Sequence, residues 1–226
     1  IVAHTVVSAS QYIQLPSRVS RSSTIKATGT RRVNYVRITS AEAEPESTED
    51  DLRALFDRRG VNLRTQYAAC SQNQLTVVLN EVISVQVNRT LYNSGLTAVL
   101  EAEEILQERY QVRSMDRLAD WTLYCLPKAL VSRDWAAAAS NFHWRSWYNE
   151  EYCLSLSALM HETGHSNGLT HANEGGKYKD VTGYMGYSQR VSGYPQRCYN
   201  AAKHWKLGWY AQQSLEIDPY QATTLQ

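Results

Sequence analysis

Polar and apolar residues alternate through Arg32-Val33-Asn34-Tyr35-Val36-Arg37-Ile38, with branched side chains among the apolar ones. This period of two predicts a half-buried strand that opens a sheet. Two short β-branched runs, Gln74–Leu79 and Val82–Val87, predict neighbouring strands with Asn80-Glu81 between them. From Leu96 to Tyr110 the apolar positions Leu96, Val99, Leu100, Ile105 and Leu106 recur at helical spacing among glutamates, predicting a long surface-packed helix. An acidic stretch, Ala41–Asp51, leads into a short amphipathic helix around Leu52–Phe56. Asp120–Leu126 is the next strand, stopped by Pro127, and the aromatic-rich segment Trp135–Tyr152 reads as core and rim packing. Ser155–His165 is helical, and from Gly168 onward Gly, Asn and Tyr mark a loop-rich region. The pattern is mixed α/β (α+β). Residues 1–31, rich in Ser, Thr and Arg, read as an extended N-terminal arm. Residues 32–226 read as one domain, with an upper lobe to about 167 and a loop-rich lower lobe from about 168.

Composition narrows the partners. With 43% hydrophobic and 20% charged residues in a 226-residue chain, a folded globular protein is expected. Lys and Arg total 23 against 22 Asp and Glu, so a net charge of +1 leaves no electrostatic footprint for nucleic acid or an anionic membrane. No apolar run approaches the roughly 18 residues that a spanning helix needs. The remaining expectation is a protein or peptide partner for a chain acting as a monomer. The chain starts at Ile1 rather than Met, without the basic-then-apolar order of a signal peptide, which reads as a mature or trimmed form. Four cysteines without a C-x-x-C pair argue against a Cys-rich zinc site. Their even count and the acceptor Asn88-Arg89-Thr90 favour secretion and glycosylation. Three cysteine pairings exist; Cys125 with Cys153 and Cys70 with Cys198 is preferred, and the sequence alone does not decide.

The chemistry concentrates in residues 161–171, HETGHSNGLTH. They place His161, Glu162, His165, Gly168 and His171 on the pattern H-E-x-x-H-x-x-G-x-x-H. Two histidines four apart share a helix face, so both imidazoles reach one metal. Glu162 is the candidate general base for a metal-bound water. A continuing helix would carry residue 171 away; Gly168 at positive φ turns the chain back so that His171 completes the set. Three protein ligands with an open position describe catalytic zinc, whereas structural zinc closes its shell with four. Chance placement of these five residues has a probability of roughly 10⁻⁵.

Fourteen residues past His171, Met185 lies in a Gly- and Tyr-rich turn, Val181-Thr182-Gly183-Tyr184-Met185-Gly186-Tyr187. Here the chain resembles the metzincins, whose long zinc motif is followed by a Met-turn. Glu174, Tyr178, Asp180, Gly183, Met185-Gly186-Tyr187-Ser188, Cys198-Tyr199-Asn200-Ala201-Ala202-Lys203 and Leu207-Gly208-Trp209-Tyr210 narrow the resemblance to gametolysin-type peptidases. Ala69-Cys70-Ser71-Gln72-Asn73-Gln74-Leu75 and Tyr124-Cys125-Leu126-Pro127 extend it upstream. The resemblance implies a two-lobed catalytic domain with a twisted mixed sheet and the zinc helix at the cleft. It also implies a secreted zinc endopeptidase acting on cell-wall or matrix glycoproteins, with Met185 as a hydrophobic floor. Some metzincins carry a tyrosine reaching the zinc at the place of Tyr187; its competing role is packing in a Tyr-rich loop. Glu174 and Asp180 are candidate calcium carboxylates in the loop after His171, too few by themselves for a calcium site and otherwise braces of that loop. His4, His143 and His204 are left out of the metal shell, and Trp205, Leu207, Trp209 and Tyr210 are expected in the core of the lower lobe. The rival function is a zinc-stabilised matrix or glycan-binding protein without peptidase activity.

Overall fold

The computed structural model describes residues 27–88, 95–128, 135–173, 175–186 and 197–213. Five strands form one sheet: β1 (Gly29–Thr39), β2 (Leu75–Gln86), β3 (Trp121–Leu126), β4 (Ala137–Ala139) and β5 (Arg145–Asn149). Their order is β2-β1-β3-β5-β4. The first four neighbours in that row run parallel, and β4 is antiparallel to β5 at the edge. The helices are α1 (Glu49–Asp57), α2 (Leu63–Cys70), α3 (Gly95–Tyr110), α4 (Leu156–Ser166) and α5 (Ala201–Leu207).

Alternation along the strands splits the core in two. Val33 and Tyr35 of β1 and Trp121, Leu123 and Cys125 of β3 pack with Leu52, Phe56, Tyr67 and the inward residues of α4. Val36, Ile38, Tyr124 and Leu126 point to the other face, against Val99, Ala102 and Leu106 of α3. Parallel strands thus have both faces covered. β1 reaches β2 through α1 and α2 on one face, and β2 reaches β3 through α3 on the other, on opposite sides of β1. This is how crossovers of one hand behave when they leave in opposite directions.

Where two strands were expected, one continuous β2 runs from Leu75 to Gln86. Val33 pairs with Leu79 and Asn34 with Glu81, so Asn80 is an extra residue in the ladder. The bulge reverses side-chain parity. Leu75 and Val77 face the α4 side before it, whereas Ile83 and Val85 face α3 after it. β1 opens at Gly29, inside the segment expected as an arm, and Ala27 is already buried, its carbonyl accepting from Trp209 Nε1 at 2.6 Å. Residues 1–26 of that arm lie outside the described residues. Trp135–Tyr152, expected only as packing, supplies β4 and β5. On α3, Leu96 and Leu100 are exposed while Glu103 is buried. Glu103 points inward because Arg145 of β5 meets it there in a two-pronged ion pair.

Candidate active site

α4 starts where the Ser155 side chain accepts from the Ala158 amide, and Leu156–His165 is buried throughout. His161 and His165 stand one turn apart, with ring centroids at 5.0 Å. The helix ends in a Schellman motif: the Gly168 amide donates to His165 O at 2.8 Å and the Leu169 amide to Gly164 O at 3.0 Å, with Gly168 at φ +79°. The turn returns the chain so that the His171 ring lies 5.2 Å from His161 and 4.7 Å from His165. One nitrogen of each imidazole lies within 4.8 Å of the others.

Hydrogen bonds set two of the tautomers. His161 Nδ1 faces Tyr184 O at 2.6 Å and His165 Nδ1 faces Leu169 O at 2.7 Å. A carbonyl only accepts, so each Nδ1 carries the proton and leaves Nε2 with its lone pair. Burial, followed by the His165 ring, lowers the pKa of His161 to about 3 and that of His171 to about 4; burial also lowers His165. Three neutral imidazoles, two of them with their lone pairs directed by the Nδ1 hydrogen bonds, are a donor set that fits a zinc ion. Glu162, beside them, is 7% exposed, and burial raises its carboxyl to about 8. No other described residue forms a hydrogen bond or ion pair with it. Met185 is buried beneath α4, so close that a Cβ on Gly164 would lie 2.5 Å from its sulfur. Its carbonyl accepts from the Ala172 amide at 2.9 Å, tying the turn to the residue after His171.

With that geometry in place, comparison with known proteins decides the family. The gametolysin peptidase M11 family matches residues 30–218. The chain belongs to that family. Membership gives its class, a metallopeptidase, and agrees with the H-E-x-x-H-x-x-G-x-x-H signature. No curated protein matches the chain. Among solved structures, it is similar to one described as a chaperone-substrate complex, with TM-score 0.51 and 15% identity over 81% of this chain. It is also similar to metalloproteinase-II from Bacteroides fragilis, with TM-score 0.44 and 14% identity over 80% of this chain. The chain spans 35% and 54% of the lengths of those two chains. At 15% identity the first likeness is one of fold.

Within this gametolysin-family chain, the remaining expected residues divide. Tyr187 and Glu174 lie outside the described residues. Asp180 has protein partners on both oxygens: Oδ1 accepts from the Thr182 amide at 2.7 Å and hydroxyl at 2.6 Å, and Oδ2 from Asn200 Nδ2 at 2.9 Å. That is the bracing role. Both preferred disulfides are present, Cys70–Cys198 and Cys125–Cys153. Leu207 and Trp209 are buried as expected, but Trp205 is 47% exposed, because α5 turns His204 and Leu207 inward instead. Of the three histidines left out, His143 lies beside Trp144 and His204 is on α5, while His4 is outside the described residues. Asn88 is exposed; Arg89 and Thr90 of its acceptor motif are not described.

Two features escaped the sequence. Tyr178, 46% exposed, sets its ring 4.7 Å from His171 and 6.4 Å from His161. The sequence named it only as part of the family resemblance; it stands in a Gly- and Lys-rich loop without periodicity, so nothing local placed it at the histidines. The second is α5, too short to declare a period. A cavity of about 230 Å³ bounded by Trp121, Phe142 and Ser166 is separate; none of the three histidines lines it.

Proposed function

We propose that this protein is a secreted zinc endopeptidase that cleaves extracellular, cell-wall or matrix proteins and glycoproteins, working as a monomer. The observation that carries the reading is the convergence of His161, His165 and His171, one nitrogen of each within 4.8 Å of the others, with the buried Glu162 following His161 on the same helix and unpaired among the described residues. A zinc held for shape alone has no use for such a carboxyl. His161, His165 and His171 are the ligands in this reading, and Gly168 and Met185 form the turn and floor that keep them together. Zinc, when bound, supplies a water activated for attack and polarises the scissile carbonyl. Glu162 would take the proton released as that water attacks and deliver it to the leaving amine. Secretion is supported by the two disulfides, and no helix among the described residues is long and apolar enough to cross a membrane.

Tyr187, two residues past Met185, is assigned the phenol that hydrogen-bonds the oxyanion as charge develops. Tyr178, whose ring touches His171, is the alternative phenol. Comparing Tyr187→Phe with Tyr178→Phe separates them: the acting residue lowers kcat by about 10 to 10³ with little change in KM or zinc content.

The test of the whole reading is digestion of casein or gelatin by the protein, with and without a zinc chelator, beside Glu162→Ala. Cleavage should vanish on chelation and return with zinc, while Glu162→Ala should retain zinc and lose at least about 10² in turnover. Zinc bound at full occupancy without cleavage of any protein substrate would favour the matrix or glycan-binding role instead.

A further inference from the structure

Among the described residues, the three histidines are not secured alike. His161 and His165 are each oriented by a carbonyl at Nδ1, whereas no described group hydrogen-bonds the His171 ring. What holds His171 is its main chain. The segment 168–171 has left α4, so its carbonyls need partners from elsewhere. Leu169 O is taken by His165 Nδ1. Gly168 O accepts from Lys206 Nζ at 3.0 Å; His171 O accepts from Lys203 Nζ at 3.1 Å and, at the longer 3.3 Å, from the exposed Asn173 Nδ2, with Thr170 Oγ1 3.3 Å from the Lys203 ammonium.

Both lysines stand on α5, three residues apart and hence on one side of the helix. The helix that carries them is itself anchored. Asn200 caps it by accepting from the Lys203 amide and donates to Asp180 at 2.9 Å. Cys198, just upstream, is bonded to Cys70 of α2, and its carbonyl accepts from the Tyr184 amide at 3.1 Å. His204 and Leu207 are buried beneath. A charged donor on a fixed helix gives a shorter and stronger bond to a carbonyl than a neutral one.

Resting on the reading of the triad as a zinc site, we propose that Lys203 is a positioning residue for the third ligand. Its ammonium pins the His171 carbonyl so that the imidazole is presented to the metal, while Lys206 holds the turn at Gly168. Lys203 never touches substrate or metal; it acts through His171. The lysine is partly buried, and burial together with Lys206 pulls its pKa down while Asp180 opposes that shift.

The experiment is zinc affinity, measured by competition with a chromophoric chelator, which needs no peptide cleavage. Lys203→Met should weaken zinc binding by about tenfold, the low end of the about 10- to 100-fold that outer partners of metal ligands control. Lys203→Arg should recover part of the loss. Adding Lys203→Met to His171→Ala should cost nothing further in zinc affinity, because the imidazole that the lysine positions is already gone although its carbonyl target remains. Wild-type affinity in Lys203→Met, or the same fold-loss with and without His171, overturns the inference. If Lys203→Met does not fold, Lys203→Gln carries the same comparison with the same two outcomes. A wild-type chain that takes up no zinc overturns the metal reading, and this inference with it.

Discussion

Gly168 meets two demands at one residue. Its φ of +79° is costly for any residue with a Cβ, and a Cβ there would overlap the Phe142 ring. Gly168→Ala should therefore lower stability by about 1–2 kcal/mol from backbone strain alone, with the overlap added, and should weaken zinc binding as His171 shifts. Thermal melting of Gly168→Ala beside Gly168→Ala/Phe142→Ala checks this. The double variant should regain the overlap part and keep the backbone part. Identical melting of Gly168→Ala and the wild type would remove the argument. The glycine and its positive φ were legible in the sequence because a helix that must turn back within a few residues needs them. Phe142 was not, since it reaches the turn from the loop between β4 and β5.

Among the elements, α5 binds the site together although it spans only Ala201–Leu207. Asn200→Ala removes both its cap and the donor to Asp180, which braces the Met-turn through Thr182. The expected loss is about 1–2 kcal/mol by chemical denaturation. Asp180→Asn should lose less, because an amide in place of the carboxylate keeps one oxygen for Thr182. A cost below about 0.3 kcal/mol for Asn200→Ala would show that the cap is dispensable. At this scale sequence patterns were read unevenly. α3 and α4 declare their periods over 16 and 11 residues, whereas α2 and α5 have eight and seven, too few for a period to emerge. The break in parity at Asn80 read as a gap between strands because alternation has no way to signal an inserted residue.

For the molecule as a whole, the two disulfides join residues 128 and 28 positions apart. In the chain-entropy account the longer loop restrains the unfolded state by about 5 kcal/mol and the shorter by about 3.5 kcal/mol. Cys70→Ser/Cys198→Ser should thus lower the melting temperature more than Cys125→Ser/Cys153→Ser; the reverse ranking would sink the loop-length account here. Acid should act in part through His204, whose two ring nitrogens are buried without a hydrogen bond partner among the described residues and whose pKa burial lowers to about 4. An unfolded chain takes up this proton near 6.5 and the folded one not until about 4. The contribution to stability is complete above about pH 6.5 and shrinks as pH falls toward 4. With zinc removed, the pH slope of stability in that window should be smaller for His204→Phe, a ring that suits the Tyr199, Trp209 and Tyr210 surroundings. Equal slopes would assign the acid sensitivity elsewhere.

The sequence by itself determined what depends on neighbours along the chain. Two histidines four apart share a helical face whatever the rest of the fold does, a carboxyl follows the first, and a glycine three past the second permits the turn that returns His171. Family membership rests on a match over residues 30–218 that includes this local order. Only the tertiary structure decided which groups hold these residues in place. Tyr184 O orients His161, Met185 lies under Gly164, and Lys203 reaches the His171 carbonyl, contacts between residues 21 to 32 positions apart that no local period encodes. It also decided that the cysteines pair as Cys70–Cys198 and Cys125–Cys153, since four thiols are chemically equivalent until the sheet and α2 bring particular ones within bonding distance.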